Sequence, residues 1–141
     1  MPSPNGYQIT DTLFISPSTR VFRALRESDQ RVVILRTNAE YASPSQEARL
    51  IASAEVLKQF DHPNIIHYIE TISYQNAPCL VLDDNQSIDL SQYVEGLEHH
   101  RVPLEKFISI AIQLAEALSV IHHAQVIHKD LHPGNILINP S

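Results

Sequence analysis

The sequence predicts an α+β fold: a five-stranded antiparallel sheet carrying one long helix, joined by a connector to a mostly helical segment. Three observations carry this. Short runs rich in β-branched and aromatic residues, punctuated by turn residues, recur five times before residue 83. A well-marked helix start interrupts them after the third run, and the strongest helical period in the chain begins at Pro103. The length of 141 residues suits one domain, and 43% apolar residues is enough for an ordinary core. The order of elements alone fits more than one α+β architecture.

Residues 7–15 alternate partly between apolar and polar side chains and predict the first strand, with a turn at Ser16-Pro17-Ser18. Residues 20–26 give the second strand, and Ser28-Asp29-Gln30 turns the chain into a third at 32–35. The helix then begins with Ser43 as N-cap, Pro44 in the first helical position and Gln46 completing a capping box. Leu50, Ile51, Ala54 and Leu57 give it an apolar side, and Asp61-His62-Pro63 stops it. Two further strands are expected at 65–73 and 78–82, around a turn at Gln75-Asn76. The polar run 83–87 is the connector, and 88–94 reads as a short helix followed by a loop at 96–102. From Pro103, the residues Leu104, Phe107, Ile108, Ala111, Leu114, Ala115 and Leu118 follow the helical period. Ile110, Ile112 and Ile121 add apolar surface elsewhere. A helix apolar on most sides is usually buried. Little sequence follows it to cover it, so an exposed apolar face and self-association are also expected.

Composition excludes several classes. A formal charge of −6 argues against nucleic acid or an anionic membrane as partner. The single cysteine, Cys79, rules out an internal disulfide and fits a reducing compartment. No apolar run reaches the length of a membrane span, and residues 1–6 lack the basic start and apolar stretch of a signal peptide. The expectation is a soluble, cytoplasmic chain.

The chemistry concentrates at His128-Lys129-Asp130-Leu131-His132-Pro133-Gly134-Asn135, ahead of an apolar triplet at 136–138 that reads as a short strand. A carboxylate and a carboxamide held five residues apart in a Pro- and Gly-bearing loop suit phosphoryl transfer. The acid orients or deprotonates an attacking hydroxyl, and the amide oxygen helps hold a divalent metal on the phosphates. The histidines His122, His123, His128 and His132 come without a cysteine or an acidic partner arranged for zinc.

This stretch resembles the catalytic loop H-R-D-x-x-x-x-N of the protein kinase superfamily, and the resemblance runs from about Tyr7 to Asn139. It implies a small lobe at about 7–82, a hinge at 83–87 and the start of the large lobe at 88–141, incomplete. It implies Asp130 as catalytic base, Asn135 as metal ligand and His128 as the residue anchoring the loop. Arg36 would meet ATP phosphates, and the backbone at Asp83, Asp84 and Asn85 would meet adenine, with Mg2+ as the metal. Gly6-Tyr7-Gln8-Ile9-Thr10, His62-Pro63-Asn64-Ile65-Ile66 and Ile127-His128-Lys129-Asp130 are similar to the serine/threonine-kinase-like domain that opens large bacterial hybrid sensor proteins. Asp-Leu-His-Pro-Gly-Asn is also similar to atypical kinases and small-molecule phosphotransferases, which leaves the substrate class open.

Four departures from the family pattern bear on activity. The place of the glycine-rich phosphate loop, residues 14–22, has no glycine. Arg36 stands for the lysine of V-A-I-K, keeping the charge on a bulkier planar fork. Ser53 stands for the helix glutamate that pairs with that lysine, and Glu55, about 200° around the helix, faces elsewhere beside Lys58. The sequence ends at Asn139-Pro140-Ser141, before a D-F-G aspartate. Two readings follow: a serine/threonine protein kinase domain inactive as this chain, or a non-catalytic pseudokinase module. Its partner would be a protein substrate or a regulatory protein.

Overall fold

In the computed structural model, residues 2–126, 131 and 133–139 are described. The chain divides into two compact units, Met1–Asp84 and Asn85–Ser141.

The first unit is an antiparallel sheet with one helix. Strands β1 (Tyr7–Ile15), β2 (Thr19–Arg26) and β3 (Val32–Asn38) precede helix α1 (Pro44–Leu57), and β4 (Tyr68–Tyr74) and β5 (Ala77–Asp83) follow it. The spatial order is β1-β2-β3-β5-β4, so β5 slots between β3 and β4. Alternation along the central strands sets the two faces. Val33, Leu35, Cys79 and Val81 join Tyr7, Phe22, Ala24 and Tyr74 in one core. Leu80 and Leu82 form a second core with Leu50 and Ala54 of α1, with Ile34, Leu57, Ile66 and Tyr68 packed against it. Thr37 is buried on the first face, its hydroxyl donating to the Pro78 carbonyl at 2.9 Å. Phe22 and Tyr74 meet edge to face, their ring centroids 6.4 Å apart.

Local chemistry explains the connections. At the β2–β3 hairpin Arg26 grips Asp29 with two bonds of 2.9 and 2.6 Å, which holds the Asp29 carboxyl down at about 2. The β4–β5 turn consists of Gln75 and Asn76, both at positive φ, which matches the twist of a two-residue hairpin. The capping box of α1 is complete: Gln46 N donates to Ser43 Oγ at 3.2 Å and Ser43 N to Gln46 Oε1 at 2.8 Å. β3 runs three residues past the expected stop at Leu35. β4 starts at Tyr68 rather than 65, because His62 Nδ1 accepts from Asn64 N and its carbonyl from Ile65 N, turning that stretch. Ile51, read as part of the apolar side of α1, is exposed, since it lies 100° around the helix from Leu50.

The second unit opens with a two-residue strand, β6 (Ile88–Asp89), where a helix was expected. Helix α2 (Leu90–Glu95) starts only after Asp89, whose carboxylate caps it by accepting from Gln92 N at 2.9 Å. A 3-10 turn at Glu98–His100 breaks the expected loop, and α3 spans Leu104–His123. A second 3-10 turn at Pro133–Asn135, in a stretch read as non-helical, leads into β7 (Leu137–Ile138), antiparallel to β6. α3 is not buried on most sides and instead carries the exposed apolar face also expected of it. Only Ala117 is buried on it, while Leu104 is 72% and Phe107 58% exposed, with Ile108 and Ile112 also exposed. Its apolar surface exceeds what the described residues of this chain can cover. No helix among them is long and apolar enough to cross a membrane.

Burial in the first core holds protons on Cys79, Tyr7 and Tyr74. Burial pushes the Cys79 thiol up to about 12 from 9.0. Burial, then the hydrogen bond donated to Glu70, pushes the Tyr7 hydroxyl up to about 12 from 10.0. Between those values the folded chain holds protons that the unfolded chain releases, so stability is complete below about pH 9 and falls as pH rises toward about 12. The urea midpoint is therefore expected to drop across that alkaline range, with Cys79→Ala lowering the baseline and flattening the slope. An equal slope in wild type and Cys79→Ala would show that Cys79 has no part in it.

Candidate functional site

Arg36 is placed by strand alternation. With Val33, Leu35 and Thr37 committed to the first core, Ile34 and Arg36 point to the face that α1 covers. Arg36 sits in register with Val21 on β2 and Leu80 on β5 and is itself exposed. On α1 the residues Gln46, Arg49, Leu50 and Ser53 are spaced 0, 3, 4 and 7, which is one helical stripe. Strand and stripe meet in a cleft of about 220 Å3, lined by Arg36 and Asn38 of β3, that stripe, and Ser18 and Thr19 of the β1–β2 turn. The structure thus brings Arg36 and Ser53 together.

Among the described residues, no carboxylate lines this cleft. Ser53 spends its hydroxyl on its own helix, donating to the Leu50 carbonyl at 2.6 Å. Glu55 faces away and pairs with Lys58 at 2.7 Å across one turn. Among the described residues, Arg36 and Arg49 have no acidic partner. The buried Nδ2 of Asn38 has no hydrogen-bond acceptor either. Arg49 was missed in reading the sequence. Its signal was there, because it stands four residues before Ser53 and three after Gln46, on the stripe facing β3.

The β1–β2 turn is chemically closed. Ser16 Oγ accepts from the amides of Ser18 and Thr19 at 3.3 and 3.0 Å, and Ser16 N donates to the Thr19 carbonyl at 2.8 Å. Pro17 has no amide hydrogen. The turn therefore presents no run of free backbone donors, and its residues do not fit nucleotide phosphates as a glycine loop does.

The connector is held by its acids. Asp84 Oδ2 accepts from Arg23 Nε at 2.6 Å with its side chain 3% exposed, and Asp83 pairs with Arg31 at 2.9 Å. Asp83 N is bonded to the His67 carbonyl, and the Asn85 carbonyl accepts from Asn139 Nδ2, both at 2.9 Å. Asn135 ends the 3-10 turn Pro133–Asn135 and is exposed, and the neighbouring Ile136 carbonyl accepts from Leu90 N at 2.8 Å. Asp130 and His128, as well as Lys129 and His132, lie outside the described residues.

The two connector acids are expected to separate in stability measurements. Asp84→Asn should cost about 1–3 kcal/mol, because it weakens a buried charged hydrogen bond and leaves Arg23 short of its partner. Asp83→Asn, at an exposed pair, should stay within about 0.5 kcal/mol. Chemical denaturation of the two variants distinguishes them, and equal effects would contradict the assignment.

Sequence comparison agrees with this fold. The model of the protein kinase domain matches residues 17–141. A serine/threonine-protein kinase US3 homolog of Equine herpesvirus 1 is 28% identical over 134 residues, covering 95% of this chain and 33% of the relative. Serine/threonine-protein kinase ATG1a of Arabidopsis thaliana is 32% identical over 114 residues, 81% of this chain and 18% of the relative. Serine/threonine-protein kinase dkf-2 of Caenorhabditis briggsae is 27% identical over 114 residues and 10% of its length is covered. The chain thus spans a third or less of these relatives. With the sheet order, the single helix after β3 and the strand–helix segment beyond the connector already in place, the chain belongs to the protein kinase family.

Proposed function

We propose that this chain is a serine/threonine-kinase-type domain that has moved from catalysis to regulation. It holds Mg-ATP weakly and does not itself transfer phosphoryl groups to protein hydroxyls. One observation carries this reading: among the described residues the β3–α1 cleft is lined by two arginines and neutral side chains, with no carboxylate to pair with the strand cation. A phosphoryl transfer that depends on positioning and charge neutralisation loses a fixed cation where that pairing is lost. The closed β1–β2 turn supports the same reading, since its amides are spent on Ser16. When bound, Mg2+ would neutralise charge on the phosphates. Asn135 would be one of its holders, with Asp130 as base and His128 as the loop anchor, by family resemblance.

The regulatory setting we assign is a cytoplasmic, two-component-type signalling protein of bacteria. The similarity of Gly6-Tyr7-Gln8-Ile9-Thr10 and His62-Pro63-Asn64-Ile65-Ile66 to hybrid sensor proteins supports it. The exposed apolar side chains of α3, Leu104, Phe107, Ile108 and Ile112, favour contact with a protein, including a second copy of the chain.

Two assays test this. Thermal unfolding with Mg-ATP should shift little at micromolar nucleotide, because stabilisation follows RT ln(1 + [L]/Kd). Incubation with radiolabelled ATP and a basic protein substrate should transfer no label. Label transfer that disappears in Asp130→Asn would establish an active kinase and overturn the proposal.

A further inference from the structure

The residues ahead of β1 are bonded to both margins of the sheet. Ser3 Oγ accepts from Ile9 N of β1 at 3.0 Å, and the Pro2 carbonyl accepts from Tyr74 Oη, at the end of β4, at 2.6 Å. β1 and β4 are the two outermost strands, so one short segment ties one edge to the other. Pro4, within it, is buried. A turn then reverses the chain into β1. Tyr7 N donates to the Pro4 carbonyl at 3.1 Å, and Gly6 takes a φ of 86°, the left-handed value that the third position of a type II turn requires. The Gly6 carbonyl accepts from Glu27 N at 2.9 Å, which fixes the turn just past the end of β2.

The segment is fastened to the first core through Tyr74. That ring is buried, meets Phe22 edge to face and has the Arg20 guanidinium 5.9 Å from its centroid. Cys79, also buried, pairs with Ile72, and Tyr74 stands two residues along β4 on the same face, diagonally beside the thiol. Among the described residues, two hydrogen bonds and a buried proline hold residues 2–4 down, and neither bond belongs to a ladder between strands. The segment can therefore lift without unpairing the sheet.

We propose that residues 2–6 are a latch on the first core, with Tyr74 as its catch and Gly6 as its hinge. Its release opens the Cys79 thiol to solvent while the sheet stays folded. A segment held by few bonds opens at lower free energy than the whole domain, and such local opening is read as solvent access to a buried group. Access to the core thus follows the state of the N-terminal segment. The latch uses neither the β3–α1 cleft nor the loss of catalysis proposed above.

Reaction of the full chain with Ellman's reagent in low urea tests this, because Cys79 is the single thiol. Wild-type labelling should depend on urea much less steeply than global unfolding does. Tyr74→Phe removes the hydroxyl of the catch and should speed labelling about fivefold, the equivalent of one hydrogen bond. Ser3→Ala removes the bond to β1 and should act in the same direction. Gly6→Ala should do so too, because alanine is strained at that φ although nothing crowds its methyl group. Lys58→Gln, at an exposed pair on α1, should leave the rate unchanged. Labelling that follows urea as steeply as global unfolding would overturn the latch. So would a Tyr74→Phe gain fully matched by its loss of global stability, or rates in Tyr74→Phe and Ser3→Ala no faster than wild type. If Tyr74→Phe unfolds, Ser3→Ala decides, since its bond is exposed and its loss leaves the core intact.

Discussion

The alternation of side chains along β3 and β5 is the constraint on which the rest depends. These two strands lie at the centre of the sheet, and each sends every second residue to opposite faces. Val33, Leu35, Cys79 and Val81 close the core toward β1 and β2, while Leu80 and Leu82 build the seat for α1. Arg36 inherits its position from this pattern. A slip of one residue would bury the guanidinium and expose Leu35. The cationic cleft therefore follows from the packing of the sheet: the site sits where the apolar pattern of β3 runs out on the face turned to the helix.

Electrostatics in the first unit divide accordingly. Arg26 with Asp29 and Lys58 with Glu55 are local pairs near the surface, which contribute little to stability. Arg23 with Asp84 is different, because the carboxylate is shielded and the bond fastens the connector to β2. Arg36 and Arg49 stand outside both groups. They add positive charge to a recess in a chain whose formal charge is −6, which marks the cleft as a local exception to the charge of the whole.

Much of the fold was legible because local signals agreed with one another. Ser43, Pro44 and Gln46 named the start of α1 to the residue, and Gln75-Asn76 marked a hairpin turn. Local signals failed where tertiary partners decide. Ile88 and Asp89 have apolar neighbours suited to a helix, but they pair with Leu137 and Ile138, which lie far along the chain. The apolar period of α3 reported a helix correctly but not how far it is buried, because periodicity describes a face and not what covers it. At the candidate site, Arg36 and Ser53 were found by alignment of motifs. Arg49 was legible only once the helix was known to turn its Gln46–Ser53 stripe toward β3.

The most direct measurement of that cleft is a double-mutant cycle on Arg36→Gln and Ser53→Glu, followed by urea unfolding at low salt. If strand and helix share a recess that lacks only an acid, Ser53→Glu stabilises the wild-type chain more than it stabilises Arg36→Gln, by about 0.5–1 kcal/mol. Any i,i+4 gain with Arg49 appears in both backgrounds and cancels. Effects that add to within about 0.3 kcal/mol would show that Arg36 and Ser53 do not face each other, and the cleft as described here would be wrong.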